Sequence, residues 1–137
     1  MAKFTIRLHD KGRCNIKHES SGAVIISDLP PEYGGEGKSF SSTDLVTAAL
    51  GSCTLTTFEN ILEREGYDPK KMTIVATKTL SSAPKRIKAI RLDIYFPEAL
   101  DALVLEKLNR ASAACPVKRS LNERIEITTI FRVEKNE

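Results

Sequence analysis

The segment 42–65 constrains the fold most, because it predicts one long helix that has no polar face in its first half. A serine or threonine within 41–43 can cap this helix, and Asp44 in the first turn meets the positive end of its dipole. Gly66 ends it. Residues 45–53 are apolar or small nearly all round, so this half must be buried on most sides. One sheet covers only one side of a helix, and we therefore expect this helix to lie in a homodimer interface.

The rest of the chain alternates short strands with two further helical segments. Alternation of apolar and polar residues predicts strands within 3–27 and at 72–81, 86–96 and 125–133. A second helix is capped near Asp101 and is expected to carry on its apolar side Leu103, Leu108, Ala111 and Cys115. Pro116 starts a short third helix. This order predicts one α+β domain over residues 1–137, in which an antiparallel sheet carries the helices on one side.

Residues 28–42 are predicted to form a loop that borders a functional site. Pro30, Pro31 and the glycines of 34–37 exclude regular structure there. A loop of this length in a compact domain is often functional, and this one directly precedes the long helix. We expect it to be mobile, or to differ between the reduced and the oxidised protein.

Composition limits the class of partner. Charged residues make up 28% of the chain but the net charge is only +3, so neither nucleic acid nor a membrane is expected as a partner. The absence of Trp gives no base-stacking surface. The first residues are polar and charged, unlike a signal peptide, and no apolar run approaches the roughly 18 residues that span a bilayer. We therefore expect a cytoplasmic protein.

Three cysteines carry the nucleophilic chemistry open to this chain: Cys14, Cys53 and Cys115. In a reducing compartment a cysteine pair is more often catalytic or metal-binding than structural. Cys14 stands in an alternating strand and is most simply a packed residue. It shares a strand face with His18, and these two could join the other cysteines in a zinc site. No close pair of ligands supports such a site, and we expect neither metal nor cofactor.

Two segments carry a family likeness. The run from Thr43 to Cys53, TDLVTAALGSC, resembles the central-helix motif of the OsmC superfamily, in which a small-residue helix presents the reactive cysteine. The run from Cys115 to Leu121, CPVKRSL, resembles that superfamily's second cysteine motif. The order of elements also matches over essentially the whole chain. The resemblance implies an OsmC-like fold and an intertwined homodimer with two sites at the subunit interface.

The resemblance also implies a thiol-dependent peroxidase that reduces organic hydroperoxides or hydrogen peroxide. Cys53 would match the peroxidatic cysteine and Cys115 the resolving cysteine, with an external thiol as the reductant. In the hydroperoxide-resistance branch, a Glu near the start of the long helix orients a catalytic Arg of the N-terminal strands. In this chain Thr43 and Asp44 stand near the start of the long helix, where that branch has the Glu, and Asp44 retains a carboxylate. Arg13 is the candidate for the arginine.

Attack on a peroxide would require Cys53 to lose its proton. A free thiol has a pKa of about 8.5 and is mostly protonated at neutral pH, whereas attack on a peroxide needs the thiolate. Cys53 lies too deep in its helix for much help from the dipole, and burial raises a thiol pKa, so a cation is expected nearby. Arg13 could be that cation and bind the peroxide oxygens, with Asp44 holding it in place. Cys115, at a helix start, is expected to be favoured as a thiolate and to condense with the Cys53 sulfenic acid.

Other functions are compatible with the same residues. Cysteine is among the most buried residue types, so Cys53 can also be simple core packing. An OsmC-like pocket would then bind a small apolar ligand without turnover, a function that the departure at Thr43 and Asp44 favours. The chain could also be a plain interaction or dimerisation domain.

Overall fold

The computed structural model describes residues 1–133, and these form six strands and three α-helices. The strands are β1 Phe4–Asp10, β2 Arg13–His18, β3 Val24–Asp28, β4 Thr73–Ser82, β5 Lys85–Phe96 and β6 Glu126–Val133. The helices are α1 Ser42–Arg64, α2 Ala102–Ser112 and α3 Pro116–Ser120. The α+β class predicted from the sequence is confirmed.

The chain divides into two compact units, Met1–Val46 and Thr47–Glu137. The first holds β1 to β3 and the first turn of α1, and the second holds the rest of α1 and all later elements. Each unit has its own three-stranded sheet. That residues 1–137 form a single domain stays a prediction.

The sheet of the first unit is an antiparallel meander in the order β1-β2-β3. The chain turns between β1 and β2 at Gly12, whose φ of 72° favours glycine over any residue with a side chain. The register places Ile6 opposite Ile16, and Ile16 opposite Ile25. Side chains on one face of a strand recur with a period of two, so these residues share one face of the sheet.

This apolar face of the first sheet is exposed. Phe4, Ile6 and Leu8 recur along β1 with exposed fractions of 56%, 58% and 75%, and Ile25 on β3 is 49% exposed. The alternation therefore predicted strands correctly, but it does not mark a buried core in this unit. A contiguous apolar surface of this kind is typical of a contact surface.

Hydrogen bonds organise the segment between β3 and α1. It contains a short 3-10 helix, Pro31–Tyr33, so the expectation that its prolines and glycines exclude all regular structure is wrong. The backbone N–H of Leu29 donates to the carbonyl of Gly12 at 2.9 Å, and that of Gly37 donates to the carbonyl of Leu29 at 3.1 Å. Backbone hydrogen bonds therefore hold the segment against the β1–β2 turn and also link residues within the segment.

The second unit contains a mixed sheet in the order β4-β5-β6. β4 and β5 pair antiparallel, whereas β5 and β6 pair parallel. The prediction of an antiparallel sheet is therefore wrong for β6. A parallel partner requires a crossover connection, and α2 and α3 form that connection here.

The core of the second unit lies between this sheet and the helices. α1 buries one side, which includes Leu50, Gly51, Thr54, Phe58 and Leu62. The ring of Phe58 stacks on that of Phe131 in β6 with the centroids 6.1 Å apart. The buried side of α2 consists of Val104, Leu108 and Ser112, whereas Leu103 is 72% exposed. The predicted apolar side of α2 is therefore correct at Leu108 and wrong at Leu103.

α1 is also long and apolar enough to cross a membrane, by length and composition alone. An 18-residue window within it has a mean hydropathy of 1.2, and 28% of that window is buried. The expectation concerned an unbroken apolar run of roughly 18 residues, and the uncharged stretch between Asp44 and Glu59 covers only residues 45–58. Core helices of soluble proteins meet the same criteria, and a cytoplasmic location stays a prediction.

Gly35 offers a test of the packing in the loop before α1. A Cβ at this position would lie 1.9 Å from the carbonyl oxygen of Leu29 and 2.6 Å from Oδ1 of Asp28. We expect Gly35→Ala to lower the free energy of unfolding by about 3 kcal/mol, because backbone atoms must shift to admit the methyl group. Urea unfolding measures the loss.

Gly22→Ala is the matched control for that substitution. Gly22 has no neighbouring atom within 4 Å of a Cβ but has a φ of 75°, so it should lose only the roughly 1–2 kcal/mol of a left-handed conformation. Equal losses in the two variants would show that the loop is not packed as described.

Candidate active site

The N-terminus of α1 is fixed by a reciprocal pair of hydrogen bonds. The backbone N–H of Ser41 donates to Oδ2 of Asp44 at 2.9 Å, and the backbone N–H of Asp44 donates to Oγ of Ser41 at 3.2 Å. This is a capping box, in which two unpaired helix donors are satisfied together. The cap predicted within 41–43 is therefore Ser41, the residue immediately before the helix begins at Ser42. Asp44 has a clear structural role as the partner of that cap.

The second unit brings Cys53 and Cys115 together. Cys53 is half-buried on α1, and Cys115 is fully buried at the turn between α2 and α3, immediately before Pro116. The Cys115 thiol lies close enough to donate to the Cys53 sulfur. Tertiary folding has therefore paired two thiols that are far apart in sequence. Their roles as peroxidatic and resolving cysteines stay predictions.

Hydrogen-bond donors surround the sulfur of Cys53. Burial raises the pKa of this thiol, but three donors to the sulfur outweigh that effect and hold the pKa below its usual value. The donors are the Cys115 thiol, the backbone N–H of Val117 and the hydroxyl of Thr57. No cation is among these causes, so the second unit favours the thiolate by hydrogen bonding rather than through the arginine that the sequence led us to expect.

Thr57 can act on Cys53 in two ways. Its Oγ1 lies 2.7 Å from the backbone carbonyl oxygen of Cys53, to which it donates in this structure. It also lies near the sulfur one turn earlier in the helix. A hydroxyl has a single proton, so Thr57 can donate either to the carbonyl or to a developing thiolate.

The pKa of Cys115 is shifted in the opposite direction. Burial raises the pKa of this thiol most, and its hydrogen bond and charge interaction with Cys53 raise it further. The backbone N–H groups of Lys118 and Val117 lower it, but not enough to reverse the shift. The expectation that a helix start would favour a Cys115 thiolate is therefore wrong, because burial of a charge outweighs two amide donors. The pair is asymmetric, with Cys53 the stronger acid.

Arg13 has an ion-pair partner that the sequence did not suggest. It lies in β2 directly opposite Asp28 of β3, and its Nε is 3.9 Å from Oδ2 of Asp28. Asp28 is buried, with a side-chain exposure of 0%, whereas the Arg13 side chain is 26% exposed. The one sequence signal for Asp28 was its place at the end of a strand and before a Pro- and Gly-rich segment.

The remaining candidates of the first unit lie apart from any metal-like cluster. Cys14 is half-buried in β2, where it pairs with Leu8 and Ser27. The ring of His18 interacts with the hydroxyl of Ser21 at 2.6 Å. Within residues 1–133, no group of three or more His, Cys, Asp and Glu side chains has the arrangement of a metal site.

An apolar cavity of about 120 Å³ opens in the second unit near the start of α2. Most of its walls are aliphatic or aromatic, and Glu98 and Arg132 are its charged residues. The full lining is Met72, Ile94, Phe96, Glu98, Ala99, Leu100, Leu105, Phe131, Arg132 and Val133. Leu105 of the first turns of α2 lines this cavity, whereas Cys115, which follows the end of α2, is not part of its lining.

Comparison with known proteins places these features in a family. The family model described as OsmC-like protein matches residues 35–130. A structure from Psychrobacter arcticus 273-4, provisionally named an osmotic stress induced and detoxification response protein, has a TM-score of 0.90 and 27% identity over 96% of both chains. No curated protein matches the chain by sequence.

Two organic hydroperoxide resistance proteins share the fold at lower identity. The protein OsmC of Legionella pneumophila has a TM-score of 0.76 and 14% identity, with 97% of both chains covered. The protein OhrB of Bacillus subtilis has a TM-score of 0.70 and 17% identity, with 96% of this chain and 98% of that chain covered. At these identities the comparisons support the fold.

The role of the Thr57 hydroxyl can be measured on Cys53. Thr57→Val keeps the shape of the side chain and removes one donor, so we expect the pKa of Cys53 to rise. The ultraviolet absorbance of the thiolate should then develop at higher pH, and alkylation of Cys53 at neutral pH should slow.

Thr56→Val is the control, since the Thr56 hydroxyl reaches the same Cys53 carbonyl at 3.1 Å but is not among the donors to the sulfur. Thr56→Val should therefore leave the pKa of Cys53 unchanged. Equal shifts in both variants would mean that Thr57 acts through the carbonyl alone.

Proposed function

Because the chain belongs to the OsmC-like protein family, we propose that it is a thiol-dependent peroxidase that reduces organic hydroperoxides or hydrogen peroxide. The observation that carries this proposal is the asymmetric pair of Cys53 and Cys115, in which one thiol is acidified and the other holds its proton. The shared fold of two hydroperoxide resistance proteins supports the same class of substrate.

The first step oxidises Cys53. Its thiolate attacks one oxygen of the peroxide, the O–O bond breaks, and the leaving alkoxide takes a proton to become an alcohol, or water when the substrate is hydrogen peroxide. Cys53 becomes a sulfenic acid, a two-electron oxidation. The three donors around its sulfur favour the thiolate that this step needs.

The second step forms a disulfide. The Cys115 thiol loses its proton and attacks the Cys53 sulfur, the S–O bond breaks, and the hydroxyl leaves as water. The Cys53 thiolate is one cause of the raised Cys115 pKa, and this cause disappears once Cys53 is a neutral sulfenic acid. Oxidation of Cys53 would thereby prepare Cys115 for attack. An external dithiol then supplies two electrons and two protons to restore both thiols.

Arg13 remains our candidate for the group that binds the peroxide oxygens, because a guanidinium stays charged and offers several donors. Asp44 was predicted to hold it. The hydrogen bonds of Asp44 with Ser41 support a role in ordering the start of α1, and a role for this carboxylate in catalysis remains part of the proposal.

Mutation of each cysteine tests the redox pair. Cys53→Ser should abolish turnover of cumene hydroperoxide with a dithiol reductant, because serine gives no thiolate. Cys115→Ser should retain the first oxidation and accumulate the Cys53 sulfenic acid and its over-oxidised products. Mass spectrometry after one equivalent of peroxide identifies these species, and the wild type should show a Cys53–Cys115 disulfide.

Cys14→Ser is the matched control for these variants, and its turnover should equal that of the wild type. A Cys53 that stays reduced under peroxide would contradict the peroxidase proposal. So would a disulfide that joins Cys14 instead of Cys115.

We also propose that the protein acts as an intertwined homodimer. Two surfaces support this: α1 has an apolar window of which only 28% is buried, and the β1 face carries the exposed side chains Phe4, Ile6 and Leu8. Removal of such surfaces from water stabilises association by about 25 cal/mol per Å² of apolar area. Light scattering at micromolar concentration should give twice the chain mass, and a monomer would contradict the proposal. Ile6→Lys should weaken the dimer, whereas Thr5→Lys on the opposite face of β1 should not.

One observation favours an alternative function, binding of a small apolar ligand without turnover. The cavity beside Phe96 and Phe131 is lined mainly by apolar side chains, and its volume of about 120 Å³ approaches that of engineered cavities that bind benzene. Peroxide consumption separates the two functions. A protein that binds an apolar probe and leaves peroxide untouched would be a binding protein.

A further inference from the structure

The resolving step of the proposed cycle requires an oxygen to leave the Cys53 sulfur. When Cys115 attacks the sulfenic acid, the S–O bond breaks and the oxygen departs with the electron pair of that bond. Hydroxide is a poor leaving group, and a hydrogen-bond donor beside the departing oxygen lowers the barrier by stabilising the charge that develops there. The donors around the Cys53 sulfur are therefore the groups that can assist this step.

Two of the three donors to the Cys53 sulfur have another part in the resolving step. The Cys115 thiol is the attacking group, so it gives up its proton and forms the new S–S bond. The backbone N–H of Val117 is fixed in the first turn of α3 and donates to the Cys115 sulfur as well as to that of Cys53. The hydroxyl of Thr57 is the third donor, and it is not among the donors to Cys115.

The position of Thr57 allows its hydroxyl to follow the departing oxygen. Thr57 stands one helical turn after Cys53, so the two side chains are neighbours on the surface of α1. Its Oγ1 is 2.7 Å from the Cys53 carbonyl oxygen, to which it donates in this structure, and the Cys53 sulfur is within reach of the same atom. Rotation of the hydroxyl about its C–O bond redirects the proton and requires no change of the side-chain rotamer.

The carbonyl of Cys53 keeps other hydrogen bonds when the Thr57 hydroxyl turns away. Inside α1 this carbonyl accepts the backbone N–H four residues later. The hydroxyl of Thr56 also donates to it at 3.1 Å. The hydrogen bond from the Thr57 hydroxyl is an additional one, so its loss leaves no acceptor without a partner and costs little free energy.

We propose that Thr57 is a catalytic residue of the resolving step: its hydroxyl turns from the Cys53 carbonyl to the oxygen of the Cys53 sulfenic acid and stabilises that oxygen as it leaves. This inference rests on the proposed peroxidase function and adds a residue to it. The sulfur of Cys115 bonds to that of Cys53, the S–O bond breaks, and the proton of Cys115 ends on the departing oxygen, which becomes water. Thr57 retains its own proton, so the step consumes no reactant beyond the two cysteines.

Transient kinetics separates this role from the effect of Thr57 on the first step. Oxidation of Cys53 depends on the peroxide concentration, whereas resolution of the sulfenic acid within one chain does not. After one equivalent of cumene hydroperoxide, Thr57→Val should form the Cys53–Cys115 disulfide about 10- to 100-fold more slowly than the wild type, because one donor to a developing charge is lost. Dimedone, which reacts with sulfenic acids, should trap correspondingly more Cys53, and mass spectrometry measures both products.

Further variants control for the shape and the position of the hydroxyl. Thr57→Ser keeps the hydroxyl and should resolve the sulfenic acid at nearly the wild-type rate. Thr56→Val removes the other hydroxyl from the Cys53 carbonyl and should leave the rate of resolution unchanged. If Thr57→Val does not fold, Thr57→Ala removes the same donor and should give the same slow resolution.

A second route to the same disulfide distinguishes catalysis from positioning. Dipyridyl disulfide converts Cys53 to a mixed disulfide with release of one thiopyridone, and Cys115 then attacks the Cys53 sulfur and releases a second thiopyridone. The nucleophile and the attacked sulfur are the same as in the peroxide reaction, but no oxygen leaves. In Thr57→Val the absorbance of the second thiopyridone should therefore develop at the wild-type rate.

The outcomes separate this inference from the proposed function. Equal slowing of resolution after peroxide and after dipyridyl disulfide in Thr57→Val would overturn the inference, because Thr57 would then only position the two cysteines. Wild-type resolution in Thr57→Val, or equally slow resolution in Thr57→Ser, would overturn it too and leave the peroxidase function in place. A wild-type Cys53 that peroxide does not oxidise would overturn the peroxidase function, and the role of Thr57 with it.

Discussion

The burial of α1 is the constraint on which the rest of the second unit depends. Leu50, Phe58 and Leu62 must leave water, and the sheet of β4, β5 and β6 provides the surface that covers them. α1 lies close to β4 at Gly51, where an added Cβ would meet Ala76 and Ile74 at an ordinary 3.8 Å. Once α1 is fixed against the sheet, Cys53 has a defined place, and the crossover through α2 and α3 brings Cys115 to it.

The chemistry of the pair follows from how each thiol is buried. Cys53 is half-buried and has three donors to its sulfur, whereas Cys115 is fully buried and has only two amides. Burial penalises the charged form of a thiol, and donors offset the penalty only where they are numerous enough. The pKa of Cys53 is therefore lowered and that of Cys115 raised, which is the order that the proposed roles of nucleophile and resolving group require.

In the first unit, the buried carboxylate of Asp28 forms an ion pair with the more exposed side chain of Arg13. The backbone N–H of Lys38 lowers the pKa of Asp28 most, and the N–H of Glu36 and the charge of Arg13 lower it further against the effect of burial. Arg13 is in turn left with a buried Nε that has no hydrogen-bond partner in the described part of the chain. A carboxylate that already accepts from two amides can attract a cation by charge without accepting a hydrogen bond from its Nε.

Local sequence determined much of this protein. The cap before Asp44, the stop at Gly66 and the alternation in β5 predicted the long helix and most strands, because caps, breakers and side-chain periodicity act within a few residues. The two cysteine motifs selected Cys53 and Cys115, and the family model agrees with the resemblance that they carry.

Only the tertiary structure decided the rest. The parallel pairing of β6, the exposure of Ile6 and Leu8, and the pairing of Arg13 with Asp28 all depend on which segments meet. The direction in which each cysteine pKa shifts could not be predicted from the sequence either. Burial and hydrogen bonds from distant segments act on the pKa in opposite directions, and packing decides which effect is larger. Sequence spacing specifies which side chains are available, whereas the energies that give them a function arise between residues that only folding brings together.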